Sequence, residues 1–188
     1  MSTRGRKVLA MATLLTAVLA LGALVETARR DGDHLTASIA GLRAYRGRPL
    51  PDMNVRTDDG RTLSLAALGE GFDRLIVVFV RSGCPRCQSV LATLNQHAPA
   101  ADPMAAVVIV EVGAAGSASP GVRSVAPSWT GAIDTDGAFE HVLGGRVVPV
   151  LMVVDGDRTV REVFVGANEA QGGLTWVEPA WARARFGR

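Results

Sequence analysis

Residues 8–25 (VLAMATLLTAVLALGALV) form an unbroken apolar run with no charge and no proline. As a helix rising 1.5 Å per residue it would span about 27 Å, near the hydrocarbon thickness of a bilayer. Beyond it the pattern becomes mixed, and Leu35, Ile39 and Leu42 recur at helical spacing in a polar stretch, which predicts a short amphipathic helix leading away from the run. Arg46-Gly47-Arg48-Pro49-Leu50-Pro51 ends that helix. Residues 53–56 and 61–65 then flank Asp58-Asp59-Gly60, the signature of two strands joined by a tight turn, and residues 65–68 suggest one helical turn.

Residues 75–80 (LIVVFV) are continuously apolar and largely β-branched, as in a strand covered on both faces. Residues 105–112 (AAVVIVEV) repeat that pattern. Between them, Val90, Leu91 and Leu94 mark the apolar stripe of a helix that starts at Pro85 and stops near His97, before Pro99. A Gly/Ser/Pro-rich stretch over 113–127 reads as a surface loop, and residues 136–143 read as a short helix stopped by Gly144-Gly145. Residues 147–155 (VVPVLMVVD) form a third apolar strand interrupted by Pro149. Proline cannot donate to a sheet ladder, so Pro149 belongs at a strand start, an edge or an irregularity. Gly156-Asp157 turns the chain into a strand over 159–165, and residues 168–185 read as a final helix. Strands alternating with helices between hairpins predict an α/β domain around a mixed central sheet.

Composition narrows the function classes. The 188 residues allow one ordinary domain plus an appendage. Arg4, Arg6 and Lys7 supply the whole excess of a formal net charge of +2, leaving the body without the basic surplus that nucleic-acid binding requires. Aromatic residues are only 5%, too few for stacking platforms. The expected partners therefore exclude nucleic acid. Cations ahead of the apolar run favour a cytoplasmic N-terminus and an uncleaved signal anchor. A cleaved signal peptide and a buried soluble helix are the alternatives. The predicted organisation is a cytoplasmic N-terminus (1–7), a transmembrane signal anchor in contact with lipid (8–25), a juxtamembrane helix and linker (26–48) and an extracytoplasmic domain (49–188).

The chain has two cysteines, Cys84 and Cys87, in the run Cys84-Pro85-Arg86-Cys87 that follows the first buried strand and opens a helix. With Cys84 as N-cap and Pro85 in the first helical position, the N–H groups of Arg86 and Cys87 point towards the Cys84 sulfur. Those donors and the positive helix end favour thiolate over thiol, and Arg86 adds positive charge. Cys84 is the candidate nucleophile. Cys87 lies on the same helical face and close enough to close a disulfide, the arrangement needed for one thiolate to attack a substrate disulfide and the second to resolve the mixed disulfide. An inert disulfide and a zinc site are the bland alternatives. So small a loop would staple little chain, however, and neither a second cysteine pair nor a His-x-His cluster accompanies the first. His34, His97 and His141 are scattered, and no metal or cofactor is expected. Gly-rich segments at 69–71 and 113–116 lack the context of a nucleotide site, and Asp155-Gly156-Asp157 lacks the rest of a calcium loop.

Together, Pro49-Leu50-Pro51-Asp52, residues 59–65 (DGRTLSL), the strand at 75–80, the Cys84-Pro85-Arg86-Cys87 motif and Val148-Pro149 give residues 49–182 a resemblance to thioredoxin-fold redoxins. The subgroup resembled is the membrane-anchored TlpA/ResA-like thiol–disulfide oxidoreductases. The resemblance implies a thioredoxin-like fold and a cis Pro149 facing the cysteine pair. It also implies a substrate chain lying along the backbone of Val148. Phe79-Val80-Arg81-Ser82 is similar to the approach in the MauD-like accessory proteins. The chain departs from the pattern at three places. Val80-Arg81-Ser82-Gly83 replaces a Trp-rich approach, Val90 stands where the TlpA/ResA-like proteins place an acid, and Val78 stands where thioredoxins bury one. The implied activity is disulfide exchange with protein clients at the bacterial cell membrane, with the domain facing the periplasm or cell exterior. The implied direction is reductive, with electrons arriving from an upstream membrane donor. An accessory or assembly factor and a redox-inactive anchored binding module are the alternative readings.

Overall fold

The computed structural model describes residues 3–97, 105–113 and 129–166, without the side chains of residues 3–10, 12, 13 and 94–97. The expected stop at Pro99, the loop over 114–127 and the final helix over 168–185 lie outside the described residues. The chain divides into two compact units, residues 1–37 and 38–188.

The first unit is helical. Helix α1 (Thr3–Arg43) runs unbroken through the apolar run and the stretch expected to be a separate short helix, because no proline interrupts it before Pro49. Met11, Leu14, Leu15, Val18, Leu19, Leu21, Leu24 and Val25 are all exposed along it. Among the described residues no helix is long and apolar enough to cross a membrane.

The second unit opens with the last turns of α1, earlier than the boundary at Pro49 that the sequence pattern suggests. Leu42 is fully buried in its core, and the Ser38 hydroxyl donates to the Gly144 carbonyl (2.8 Å) while accepting from the Arg146 N–H (3.0 Å). Strands β1 (Asn54–Thr57) and β2 (Thr62–Ser64) form the expected hairpin, with Gly60 at φ +85° in the turn. A 3-10 turn (Ala67–Gly69) leads to β3 (Arg74–Val80), then to α2 (Pro85–His97) and β4 (Ala105–Glu111). The remaining elements are β5 (Thr130–Ile133), α3 (Ala138–His141), β6 (Val150–Asp155) and β7 (Val160–Val165). Strand β5 is not predicted by the sequence pattern.

The sheet has the order β2-β1-β5-β4-β3-β6-β7. Strands β3, β4 and β5 are parallel, and all other pairings are antiparallel, which gives the expected mixed sheet. Six of the seven residues of β3 are buried, for the reason its composition suggests: both faces are covered. Leu75, Val77 and Phe79 enter one core with Val108, Val110, Val150, Met152 and Phe139. Ile76, Val78 and Val80 enter the other, with Val107, Ile109, Leu151, Val153 and, from α2, Cys87 and Val90. In the first core the Phe79 and Phe139 rings lie 4.7 Å apart between centroids.

Candidate functional site

The three parallel strands end together, and the cysteine motif hangs from the carboxyl end of β3, the one that also pairs with β6. In α/β sheets this edge is where backbone leaves the ladder and side chains on successive loops converge. Arg81, Ser82 and Gly83 carry the chain from β3 to α2, and Gly83 has φ +71°, a left-handed turn that brings Cys84 to the first position ahead of the helix.

Local geometry there matches the N-cap reading. The Cys84 carbonyl accepts the first bond of the helix, from the Gln88 N–H at 3.1 Å. Pro85 occupies the opening helical position, where it gives up no bond. The Cys87 N–H donates to Cys84 Sγ at 3.2 Å, one of the two donors expected to face that sulfur. The two cysteines are joined as a disulfide with Cα atoms 5.3 Å apart, inside the usual range. Their surroundings differ. Cys84 is half-buried, whereas Cys87 is 1% exposed and packs among Val80, Val90, Ile109 and Leu151. A reagent in solution therefore meets Cys84 first. Arg86 is exposed beside it.

Val148 and Pro149, distant in sequence, arrive at the same edge. The Val148–Pro149 bond is cis and immediately precedes β6, whose Val150 pairs with Phe79 of β3. Val148 packs against the cluster that holds both cysteines, while Pro149 is buried and its carbonyl accepts the Gly166 N–H at 2.7 Å. The structure thus brings Cys84, Cys87 and Val148 together around one apolar cluster, with Trp129 as a further neighbour.

Two buried acids near this edge escaped the sequence reading. Asp134, just past β5, is 3% exposed and uses both carboxylate oxygens on the N–H groups of Ala138 (2.8 Å) and Phe139 (2.9 Å), capping α3. Glu111, the last residue of β4, is 1% exposed and sits opposite Val80. Its only sequence signal is an acid at the end of an otherwise apolar run. Among the described residues no group of histidines, cysteines and acids could hold a metal ion.

No protein-family model matches the chain, and no curated protein matches it. Solved structures do. A Chlorobium tepidum protein assigned as the thiol:disulfide interchange protein DsbE superimposes with a TM-score of 0.60 at 23% identity, over 74% of this chain and 96% of that one. An uncharacterized thioredoxin-like protein from Porphyromonas gingivalis gives a TM-score of 0.57 at 18% identity, over 74% and 94% of the two chains. The fold is therefore thioredoxin-like, with the mixed sheet and flanking helices that the resemblance implied.

Proposed function

We propose that this chain is a thiol–disulfide oxidoreductase that reduces disulfides of protein clients outside the cytoplasm, tethered to the membrane by residues 8–25. The observation that carries the reading is the unequal cysteine pair at the start of α2: a half-buried Cys84 under the Cys87 N–H, and a buried Cys87 within disulfide reach.

In the reduced protein the helix end and the Cys87 N–H stabilise a Cys84 thiolate. That thiolate attacks one sulfur of the client disulfide, and the other client sulfur leaves as a thiolate. Cys87 then attacks Cys84 Sγ, forming the Cys84–Cys87 bond and releasing the second client thiol. Two electrons have passed from the chain to the client, and an upstream dithiol donor at the membrane must return them. The client strand lies along the backbone of Val148, ahead of Pro149, which has no N–H of its own to compete for a partner. The tether is supported by the uncharged length of residues 8–25, the cations before it and the exposed apolar side chains along α1.

The test is a trap. Full-length Cys87→Ser should accumulate client proteins as mixed disulfides through Cys84 that reductant releases, and Cys84→Ser should trap none. Equal trapping by both variants, or by neither, refutes the reading. The measured Cys84–Cys87 reduction potential assigns the direction: a value more negative than the poise of the compartment supports the reductive role, and a more positive one refutes it.

A further inference from the structure

Resolution of the mixed disulfide needs Cys87 as a thiolate, yet Cys87 is 1% exposed among hydrocarbon side chains. A thiol in such surroundings gives up its proton reluctantly, and water has little access to take it. The step therefore calls for an internal proton acceptor, and both positions that the resemblance would assign to one hold valine, Val78 and Val90.

Strand parity identifies another. Alternate residues of β4 face opposite cores: Val108, Val110 and Val112 pack on the side of Phe139, whereas Val107 and Ile109 pack on the side of α2 with Cys87 and Val90. Glu111 continues the second series. It pairs directly with Val80, itself a member of the Cys87 cluster, and with Ile133 of β5 on its other side. Its carboxyl is thus placed on the face that α2 covers, at the strand end where the cysteine motif begins. Burying a carboxyl at the end of an apolar face is costly unless its interactions or its chemistry repay it.

We propose that Glu111 receives the Cys87 proton during resolution, directly or across one water. This rests on the oxidoreductase reading above. As the Cys87 S–H bond breaks, its proton passes to the Glu111 carboxylate. The Cys87 sulfur forms its bond to Cys84 Sγ, and the Cys84–substrate bond breaks with its electron pair on the departing thiolate. Glu111 then returns the proton to solvent or to that thiolate. Among the described residues, the charged groups that the sheet and chain bring towards this end are Arg56, in the same cross-strand row through Ile133, Arg81, next in the chain after Val80, and Arg86 at the start of α2. Asp134 follows Ile133, but its carboxylate is engaged by Ala138 and Phe139.

The test uses the reduced full-length chain in detergent with one equivalent of dithiobis(nitrobenzoate), whose coloured thiol is released first on attack by Cys84 and again when Cys87 closes the disulfide. In Glu111→Gln the first release should be unchanged and the second slowed on the order of a hundredfold at neutral pH, the lower end of what a placed proton acceptor contributes. The two proteins should converge only as pH rises well above the free-thiol value of about 8.5, where even the buried Cys87 ionises unaided. A slowing of less than about fivefold, or one of equal size at every pH, overturns the proposal. If the variant fails to fold, the wild-type profile decides. A second release that falls about tenfold per pH unit below about 8.5 tracks simple thiol ionisation and overturns it, whereas a flatter profile supports it. A wild-type chain that releases no coloured thiol refutes the oxidoreductase reading itself, and so is distinct from a defect confined to the second release.

Discussion

Cys84 and Cys87 are chemically the same side chain made different by position. Cys84 has the helix end and a backbone N–H at 3.2 Å, while Cys87 is buried in a cluster with Val80, Val90, Ile109 and Leu151. Alkylation of the two single Cys-to-Ser variants measures the difference. Cys84 should react at least about tenfold faster at neutral pH, and its rate should level off at lower pH, because the helix end holds its thiolate. Faster reaction at Cys87 would reverse the assignment of nucleophile and resolver. Away from the site, Asp59 in the β1–β2 turn is held below its ordinary carboxylate range, chiefly by the Thr57 hydroxyl and then by the Arg61 backbone N–H. A carboxyl depressed on folding adds stability above its unfolded value of about 3.9 and loses it as pH falls through the lower folded value. Asp59→Asn should therefore lower the melting temperature slightly at neutral pH, and the difference should shrink as pH falls below about 3.9.

At the scale of elements, α3 shows how much a short helix depends on its cap. It has only four residues and begins after Gly137 in a left-handed conformation, so it has little stability of its own. Asp134 supplies both acceptors for its buried N–H groups, and the Asp134 N–H in turn donates to the Glu111 carbonyl at 3.0 Å, tying α3 to the end of β4. Asp134→Ala leaves two buried donors unmatched and should cost about 3 kcal/mol in denaturant unfolding. Gly145 guards the same helix from the other side. A Cβ added there would fall under 3.0 Å from three ring atoms of Phe139, which is buried against Phe79. Gly145→Ala should destabilise by about 2 kcal/mol through overpacking, visible in the same unfolding curves.

At the scale of the whole chain, the two units obey different rules. The domain buries its apolar residues on two sheet faces, whereas α1 leaves Leu14, Leu19, Leu24 and their neighbours exposed. Apolar side chains exposed along α1 are what the proposed membrane tether would cover. On the proposed topology the full-length chain stays with membranes through carbonate extraction, and protease added outside intact cells or spheroplasts removes the domain. Release by carbonate, or a domain protected from outside protease, would refute the tether or its orientation. Deleting residues 1–25 should release the domain from the membrane with the relative reactivity of its two cysteines unchanged, since the cluster that holds them begins at Ile76.

Features that depend on neighbours along the chain are legible in the amino-acid order alone. Strands β3, β4 and β6 are legible because long β-branched apolar runs satisfy both backbone and side chains only as strands covered on both faces. The β1–β2 turn and the cap at Cys84 follow from a few adjacent residues, since turn and cap hydrogen bonds close within the same short segment. Features that depend on distant partners are not. Strand β5 has only Thr130-Gly131-Ala132-Ile133, too short and mixed to announce itself, and it exists by pairing with β4 on one side and β1 on the other. The meeting of Val148 with the cysteine cluster depends on β6 pairing with β3, and the face taken by Glu111 depends on the register of β4. A shift of one residue in that register would send Glu111 to the opposite core. Only the combined burial of both sheet faces fixes it, which is why the sequence announces the two cysteines but not which sheet face takes the acid at the end of β4.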